Sequence, residues 1–466
     1  IRPEPPQSNA QAVIAFNSLS WKRSAIITLD LPTSSDSDQS SHWQIFDTEN
    51  NLLDSQITPS ENSKNNCQSI SFLGSSLPAV GYHTFWLCPC ELTEYQTSQR
   101  KTLPDHYILE NECLSATIAS NTGHILSLIN KSTQKETFCT PGNQLQAFKD
   151  KGQYWDAWNI APDYEKHPLP NPTVQSIQWI EHGSVRQRLR ITYKLGQSTI
   201  QQPYRLDAKT PYLCVENYID WQETQVLLKA NFPLNVTSEH ATYEIPFGAI
   251  TRTTQPQTAA EQAQWETPAL RWADLSQPDN SSGTSILTDC KHGFDASPTH
   301  LRLTLLKSPI WPNPQADKGI HHFTYAIYPH KSSWEPARTV HYAQELNIPP
   351  IIYSPPPQVK ANNSHSPTTR SFLEIRNSNL ILSALKPSED NSNKFIARCY
   401  NTSNKAADIK MENTLTLSKP TSVNTQRVDI LETPLNTNET NLIRPWQIAT
   451  YQLNKNTHQK GSAISS

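Results

Sequence analysis

The amino-acid sequence predicts an all-β protein made of antiparallel β-sandwiches. Apolar and polar residues alternate with a period of two wherever a pattern can be read, and clusters of Asn, Ser, Thr and Pro separate these stretches. Residues 188–194, 301–305 and 428–431 alternate cleanly, so each predicts a strand with one apolar face. No helical repeat is sustained, and only residues 259–265 and 339–346 predict helices, of about two turns each.

The length and composition limit the classes to which the protein can belong. Its 466 residues suggest about three domains. With 39 Lys and Arg against 42 Asp and Glu, the formal net charge is −3, so nucleic acid is not an expected partner. No uncharged apolar run approaches the roughly 20 residues of a membrane-spanning helix, so a membrane is not an expected partner either.

The composition changes at two places that predict domain boundaries. A polar segment at 97–104 follows the first group of strands, and the segment 349–370, rich in Pro, Ser and Asn, is typical of an extended linker. These boundaries predict a small N-terminal β-sandwich at 1–104, a large central β domain at 105–348, the linker at 349–370 and a small C-terminal β-sandwich at 371–466.

The first residue is Ile1 and the only methionine is Met411, so we expect that a preceding segment is missing from this sequence. The eight cysteines are scattered through a chain large enough to be stable without disulfides. This usage predicts mostly buried thiols and a reducing, cytoplasmic compartment. Cys88 and Cys90 could bind a metal or be redox-active, but no second pair accompanies them, which favours a structural role.

Motifs that would carry a reaction on their own are absent from the sequence. It contains no G-x-G, no G-x-S-x-G and no H-E-x-x-H, and none of its 15 histidines has an acidic residue two positions later. The adjacent His321 and His322 would point to opposite faces of a strand, so they could not share one ion. We therefore assign no catalytic residue and no metal ligand to this chain.

One predicted loop has the composition of a sugar site. Trp155 and Trp158 flank Asp156, and Asn159 follows. The flat face of a pyranose packs on an indole, while carboxylate and amide oxygens accept its hydroxyl hydrogens. The alternative is a loop held to its own core by the two indoles, with Asp156 accepting backbone N–H groups.

Two further segments interleave charged and aromatic residues. The segment 244–275 favours buried ion pairs at a sheet junction over a surface that binds a ligand. The segment 287–319 has Lys307 and Asp317 near predicted strand ends, and such ends commonly form binding loops on a rigid scaffold.

The order of several motifs identifies a family resemblance. The chain contains, in succession, AFNSLSWKR, WDAWNI, EIPFGAITR, WETPALRWADLS, ILTDCKHGFD, LRLTLLKSPIWPNPQADKG and HHFTYAIYPH. In this order they resemble the C-terminal half of the α-mannosidases of glycoside hydrolase family 38. The resemblance implies a large central β-supersandwich, similar to galactose mutarotase, flanked by two smaller β-sandwich domains.

The resemblance also implies a function for the complete enzyme, which is the retaining, zinc-dependent hydrolysis of α-mannosides. In the family, a preceding catalytic domain carries the zinc ligands and the Asp nucleophile. The present sequence has neither, so we expect it to be inactive alone, with no cofactor of its own. Its expected partners are an α-mannoside and the missing catalytic domain, on the same or a separate chain. The alternatives are a stand-alone carbohydrate-binding or scaffold module without hydrolase activity, and a fragment of an intact enzyme.

In the family, loops of the large sandwich help to wall the substrate cleft. Carried over to this chain, substrate contact is expected from Trp155, Asp156, Trp158, Asn159, Lys307 and Asp317. The sequence departs from the family pattern at three places. Asn159 and Asn313 replace Asp, and Lys307 replaces the usual Arg, whose forked double contact a lysine cannot reproduce.

Overall fold

The structure is a computed structural model that describes residues 5–31, 42–59, 68–90, 105–152, 155–355, 367–390, 394–413, 421–435 and 442–453. Within these residues the chain forms 36 β-strands, two short α-helices and one 3-10 helix, which confirms the all-β prediction. Neither α-helix has the length or the apolar character needed to span a lipid bilayer.

The N-terminal strands form two antiparallel sheets that enclose a small core. Strands β1, β7, β3 and β4 lie in one sheet and β2, β6 and β5 in the other. Alternate side chains, among them Val13, Phe72 and Phe85, point between the sheets and are fully or almost fully buried. The strands are β1 (Gln11–Asn17), β2 (Arg23–Asp30), β3 (His42–Phe46), β4 (Leu52–Leu53), β5 (Ser55–Pro59), β6 (Gln68–Leu77) and β7 (Gly81–Cys90).

The central domain contains 18 strands, all paired antiparallel in the described residues. They are β8 (His106–Glu110), β9 (Leu114–Ala119), β10 (Ile125–Asn130), β11 (Lys135–Glu136), β12 (Gln144–Lys149), β13 (Thr173–His182), β14 (Arg186–Leu195), β15 (Ser198–Asp207), β16 (Leu213–Trp221), β17 (Val226–Pro233), β18 (His240–Ile245), β19 (Gly248–Thr253), β20 (Thr267–Pro268), β21 (Trp272–Ser276), β22 (Gly283–Thr288), β23 (Gly293–Ser297), β24 (His300–Lys307) and β25 (Gly319–His330). The 3-10 helix (Tyr164–Lys166) follows β12, and α1 (Ala259–Gln262) follows β19.

Three sheets build this domain. A nine-stranded sheet has the order β13-β14-β15-β16-β25-β22-β21-β18-β19, a five-stranded sheet has the order β12-β17-β24-β23-β20, and a four-stranded sheet has the order β11-β10-β9-β8. Their inner faces share one core that includes Tyr204, Trp221 and Phe232. The domain is therefore a large sandwich whose rigid sheets carry the loops described below.

Strand β17 explains how the loops are placed on the five-stranded sheet. Every residue of its sequence VLLKANFP is buried. Leu228 faces the shared core, whereas Leu227 packs on the opposite face against Phe148, Ile160 and Tyr164. Burial on both faces shows that residues 160–164 cover the outer face of this sheet at Leu227.

The C-terminal strands form a second small sandwich around Leu380, Cys399 and Tyr451. Strands β29, β30, β36 and β34 make its larger sheet. The elements after the central sheets are α2 (Thr339–Asn347), β26 (Ile351–Tyr353), β27 (Thr369–Ser371), β28 (Glu374–Ile375), β29 (Leu380–Pro387), β30 (Phe395–Asn401), β31 (Ala407–Asp408), β32 (Met411–Asn413), β33 (Thr421–Ser422), β34 (Thr425–Val428), β35 (Leu442–Ile443) and β36 (Ile448–Leu453).

The predicted linker contributes strands to the N-terminal sheet. Strand β26 pairs with β1, and β27 pairs with β7. Gly81 is required at the second contact, because a Cβ atom there would lie 2.0 Å from the carbonyl oxygen of Arg370. The predicted boundary at 97–104 lies outside the described residues, and the division into domains stays a prediction.

The structure corrects three smaller expectations. Residues 428–431 are not a strand: β34 ends at Val428, and a turn follows because the Asp429 carboxylate accepts the backbone N–H groups of Leu431 and Thr433. Helix α1 has only four residues instead of two turns, whereas α2 confirms the helix predicted at 339–346. Most described cysteines are not buried. Three of seven are, namely Cys88, Cys214 and Cys399.

Candidate functional site

The candidate site lies where the segment 150–166 meets the chain that leaves β24. Lys307, at the end of β24, joins the two. Its Nζ atom donates to the Oδ2 atom of Asp150 at 2.5 Å and to the carbonyl oxygen of Asn159 at 2.6 Å. The other carboxylate oxygen of Asp150 accepts the Ala161 N–H at 2.8 Å. Lys307 therefore holds the loop in place on the sheet.

Asp156 makes a second connection between the same two segments. Its Oδ2 atom accepts the N–H of Ile310 at 2.8 Å, and its Oδ1 atom accepts the N–H of Trp311 at 3.1 Å. The residue is only 7% exposed. Gly152 allows this arrangement, because a Cβ atom there would lie 2.5 Å from the Cβ atom of Asp156. The carboxylate thus points inward and fixes the backbone after β24.

The two indoles of the loop point outward. Trp155 is 63% exposed and Trp158 is 85% exposed. The ring of Trp155 lies against that of Trp311, with centroids 4.7 Å apart and planes inclined by 60°. Trp155 has a positive φ of 54°, and its carbonyl oxygen accepts the N–H of Trp158 at 2.7 Å, which closes a tight turn. We call Trp155, Trp158 and Trp311 the tryptophan surface.

Asn159 and Asp317, the two other polar residues expected at the site, make different contacts. The Asn159 side chain accepts the N–H of Ile160 at 2.9 Å, so it stabilises the loop. The carbonyl oxygen of Asp317 lies 2.7 Å from the Nε2 atom of His321, and the residue has a positive φ of 62°. In the described part of the chain, the hydrogen bonds and ring contacts of Trp155, Asp156, Trp158, Asn159 and Lys307 do not include Asp317.

A buried ionic cluster lies beneath the loop and was not predicted residue by residue. Lys229 on β17 is fully buried, and its Nζ atom lies 2.6 Å from both Glu266 Oε2 and Asp295 Oδ2. The same ammonium group lies 4.9 Å from the centroid of the Tyr164 ring. Arg302 donates to the second oxygen of Asp295 at 2.6 Å. The cluster connects β17, β23, β24, the 3-10 helix and the loop before β20.

The pKa values in this cluster show that its members stay charged. Burial opposes the charged form of Lys229, but the carboxylates of Asp295 and Glu266 outweigh burial and raise its pKa. Burial alone would raise the pKa of Asp295, and the cations of Lys229 and Arg302 lower it below its usual value. From the sequence, only the general expectation of buried ion pairs within 244–275 pointed to this cluster. A separate ion pair in that segment joins Glu244 and Arg271 at 2.7 Å.

The structure also brings together a serine, a histidine and an aspartate that the sequence did not suggest. The Nε2 atom of His330 lies 2.8 Å from Asp274 and 3.1 Å from Ser285, and all three residues are buried. A nucleophile would need one ring nitrogen on the serine and the other on the aspartate. Here a single nitrogen contacts both, so the group is a structural network behind α2.

Comparison with known proteins gives two family matches. Residues 109–315 match the glycosyl hydrolases family 38 C-terminal domain, and residues 379–451 match the glycosyl hydrolases family 38 C-terminal beta sandwich domain. The two matches follow one another in the order expected from the sequence motifs.

Among curated proteins, alpha-mannosidase G of Dictyostelium discoideum is 29% identical over 406 residues, which cover 84% of this chain and 35% of that protein. Human alpha-mannosidase 2C1 is 32% identical over 286 residues, which cover 60% of this chain and 27% of that protein. The chain thus spans about a third, or less, of the length of these relatives.

Among solved structures, an alpha-mannosidase from Enterococcus faecalis V583 has a TM-score of 0.74 at 15% identity, covering 97% of this chain and 57% of that one. A second family 38 protein from Enterococcus faecalis has a TM-score of 0.75 at 14% identity. These matches show a shared fold across almost all of the chain. The two family matches, which together cover more than half of the chain, show that it belongs to glycoside hydrolase family 38, whose C-terminal β domains it carries.

Proposed function

We propose that this chain forms one wall of the substrate cleft in a retaining, zinc-dependent α-mannosidase. The observation that carries the proposal is the tryptophan surface, whose rings are exposed and in which Trp155 packs against Trp311. Indole faces of this kind bind the C–H face of a pyranose ring. The alpha-mannosidase relatives support an α-mannoside as the ligand.

The residues around the tryptophan surface divide into two roles in this proposal. Trp155 and Trp158 contact the sugar, since their rings are exposed. Asp156, Asn159 and Lys307 are positioning residues, since their polar atoms hold the two loop segments together. A direct contact between Asp317 and the mannoside stays part of the proposal.

The bond-breaking groups belong, in this proposal, to a catalytic domain on the same or a separate chain. The described residues contain no group of three His, Cys, Asp or Glu side chains that could hold a metal ion, so they do not fit a zinc site. The chain would therefore contribute binding and shape to the cleft. The unpaired thiols of the seven described cysteines support a reducing, cytoplasmic compartment.

The proposal predicts that the 466-residue chain alone does not release nitrophenol from a nitrophenyl α-mannoside, with or without added Zn²⁺. Activity should return when the catalytic domain of the same enzyme is supplied. The measurement is the rate of absorbance change at saturating substrate. Turnover by the isolated chain that a chelator abolishes would refute this division of roles.

The Trp158→Ala substitution should weaken mannoside binding by the complete enzyme about 10-fold, or ~1.4 kcal/mol, the size of one stacked aromatic contact. Trp158 is mostly exposed, so the thermal unfolding midpoint should not change. Leu431→Ala is a matched control, because Leu431 is also highly exposed but lies in the C-terminal sandwich.

The readout is the KM for an α-mannoside and the inhibition constant of mannose. An unchanged KM in Trp158→Ala, with the control also unchanged, would show that the loop has only a structural role. Sugar binding by the isolated chain, in the absence of any catalytic partner, would instead favour the stand-alone carbohydrate-binding module.

A further inference from the structure

A cavity that contains none of the tryptophan-surface residues lies where three parts of the molecule meet. Its volume is about 340 Å³, and its walls come from β2, from the ends of β14 and β15, and from α2. Small-molecule sites typically measure roughly 300–1,000 Å³. The cavity is therefore large enough for a small metabolite and joins the N-terminal sandwich to the central domain.

The cavity walls carry an excess of positive charge. Asp207 and Glu345 are the carboxylates, and the carboxylate of Asp207 is already occupied by Arg186 at 2.6 Å and Arg205 at 2.9 Å. The cationic side chains in the walls are Lys22, Arg23, Arg186, Arg205, Lys209 and Arg338. Because the positive charges approach from three sides, an anion inside the cavity would be attracted from several directions.

Arg23 gives the most direct indication of an anionic ligand. The residue is only 6% exposed, and its Nε and Nη2 atoms have no hydrogen-bond partner in the described part of the chain. The nearby Glu345 carboxylate instead accepts the indole N–H of Trp21 at 2.7 Å. A buried guanidinium with two unpartnered nitrogens is costly, and such a group is normally paired with a carboxylate or a phosphate.

The electrostatics of the cavity agree with this geometry. Burial lowers the pKa of Arg23, which the charge of Glu345 only partly offsets, and burial raises the pKa of Glu345. A bound anion would stabilise the charge on Arg23. The planar guanidinium can donate two parallel hydrogen bonds to phosphate oxygens.

We propose that this cavity binds a phosphate group, either as inorganic phosphate or as the phosphate monoester of a small metabolite, with Arg23 as the central ligand. Cations on three walls suit the tetrahedral oxygens of a phosphate better than a planar carboxylate. The volume corresponds to about ten water molecules, which leaves room for a sugar-sized group beside the phosphate. This site does not depend on the mannoside-binding role proposed above.

The experiment is calorimetric titration of the 466-residue chain with sodium phosphate, mannose 6-phosphate and mannose, at constant ionic strength set with chloride. We expect saturable binding of phosphate or mannose 6-phosphate with one site per chain. Tighter binding of mannose 6-phosphate indicates a monoester ligand, whereas equal affinities indicate the free ion. Binding of neither phosphate compound would overturn the proposal.

Variants test whether binding occurs in this cavity. Arg23→Met should weaken phosphate binding at least 10-fold without lowering the unfolding temperature in phosphate-free buffer, because it removes a buried guanidinium whose Nε and Nη2 atoms lack hydrogen-bond partners. Lys22→Gln, at an exposed wall position, should weaken binding about 3-fold and keeps the test valid if Arg23→Met does not fold. Lys410→Gln, an exposed lysine in the C-terminal sandwich, should have no effect. Wild-type affinity in both cavity variants would overturn the proposal.

Discussion

The Lys229→Met substitution should destabilise the chain by about 3–5 kcal/mol, because it removes the fully buried cation that Glu266 and Asp295 share and leaves Glu266 without a cationic partner. Methionine preserves most of the volume of the lysine, so lost packing contributes little. The cluster lies under the segment 150–166, and this segment should loosen as well. Urea unfolding followed by tryptophan fluorescence measures both effects.

Two further variants separate unpaired charge from other causes. Lys131→Met removes a half-exposed ion pair with Glu110 and should change the free energy of unfolding by about 1 kcal/mol or less. Adding Glu266→Gln to Lys229→Met removes the carboxylate that has lost its cation, whereas Asp295 still pairs with Arg302, and should restore part of the stability. Equal, small effects of Lys229→Met and Lys131→Met would show that the buried cluster contributes no more than a surface pair.

Lowering the pH from 7 to 5 should reduce the free energy of unfolding by about 2 kcal/mol through His341 alone. Burial, and to a lesser degree the charge of Arg338, lowers the pKa of this histidine from 6.5 to about 3. The unfolded chain therefore binds a proton near pH 6.5, whereas the folded chain does not. The contribution is fully present above pH 6.5 and is lost as the pH falls.

The surroundings of His341 explain why its pKa is low in the folded chain. Its ring packs edge-on against Trp21, with centroids 4.5 Å apart, and lines both the cavity described above and a smaller neighbouring cavity. The charged groups that line these two cavities are Lys22, Arg23, Arg186, Arg205, Asp207, Lys209, Arg338, Glu345, Glu374 and Arg376. Burial also lowers the pKa of His83, His124 and His300, which adds to the loss in acid. Burial raises the pKa of Glu345, which acts in the opposite direction near its own titration, so the slope is best measured between pH 7 and 5.

His341→Gln tests this assignment in phosphate-free buffer. The variant should unfold with a smaller dependence on pH than the wild type, with the difference concentrated between pH 7 and 5. His106→Gln, on an exposed position of β8, is the matched control and should keep the wild-type slope. If both variants keep the wild-type slope, the acid sensitivity originates elsewhere.

The fold was predictable because its strands alternate. Residues 188–194 and 301–305 lie within β14 and β24, and each presents its apolar side chains to one core. The strand predicted at 428–431 is wrong because an alternating pattern is also compatible with a turn when an aspartate accepts nearby backbone N–H groups. At this position the side-chain hydrogen bonds of Asp429, and not the periodicity of apolar residues, determine the backbone structure.

The candidate site could be predicted only in part. The sequence left Asp156 between a sugar contact and a backbone cap, and its two hydrogen bonds to Ile310 and Trp311 agree with the cap. To choose between the two roles of Asp156, one must know that its loop lies against residues more than 150 positions later in the sequence. Lys229 was missed for a similar reason. Its partners are 37 and 66 residues away, and a single lysine in an apolar run does not reveal which face is covered.

The pairing of β26 with β1 has a consequence for biosynthesis. Ile14 lies opposite Tyr353, so the first sheet cannot close until the ribosome has made more than three-quarters of this chain. Until then one edge of β1 remains open to pairing with other nascent polypeptides. A premature stop before Ile351 should therefore yield a product that aggregates, even though all seven earlier strands of that sandwich have been translated.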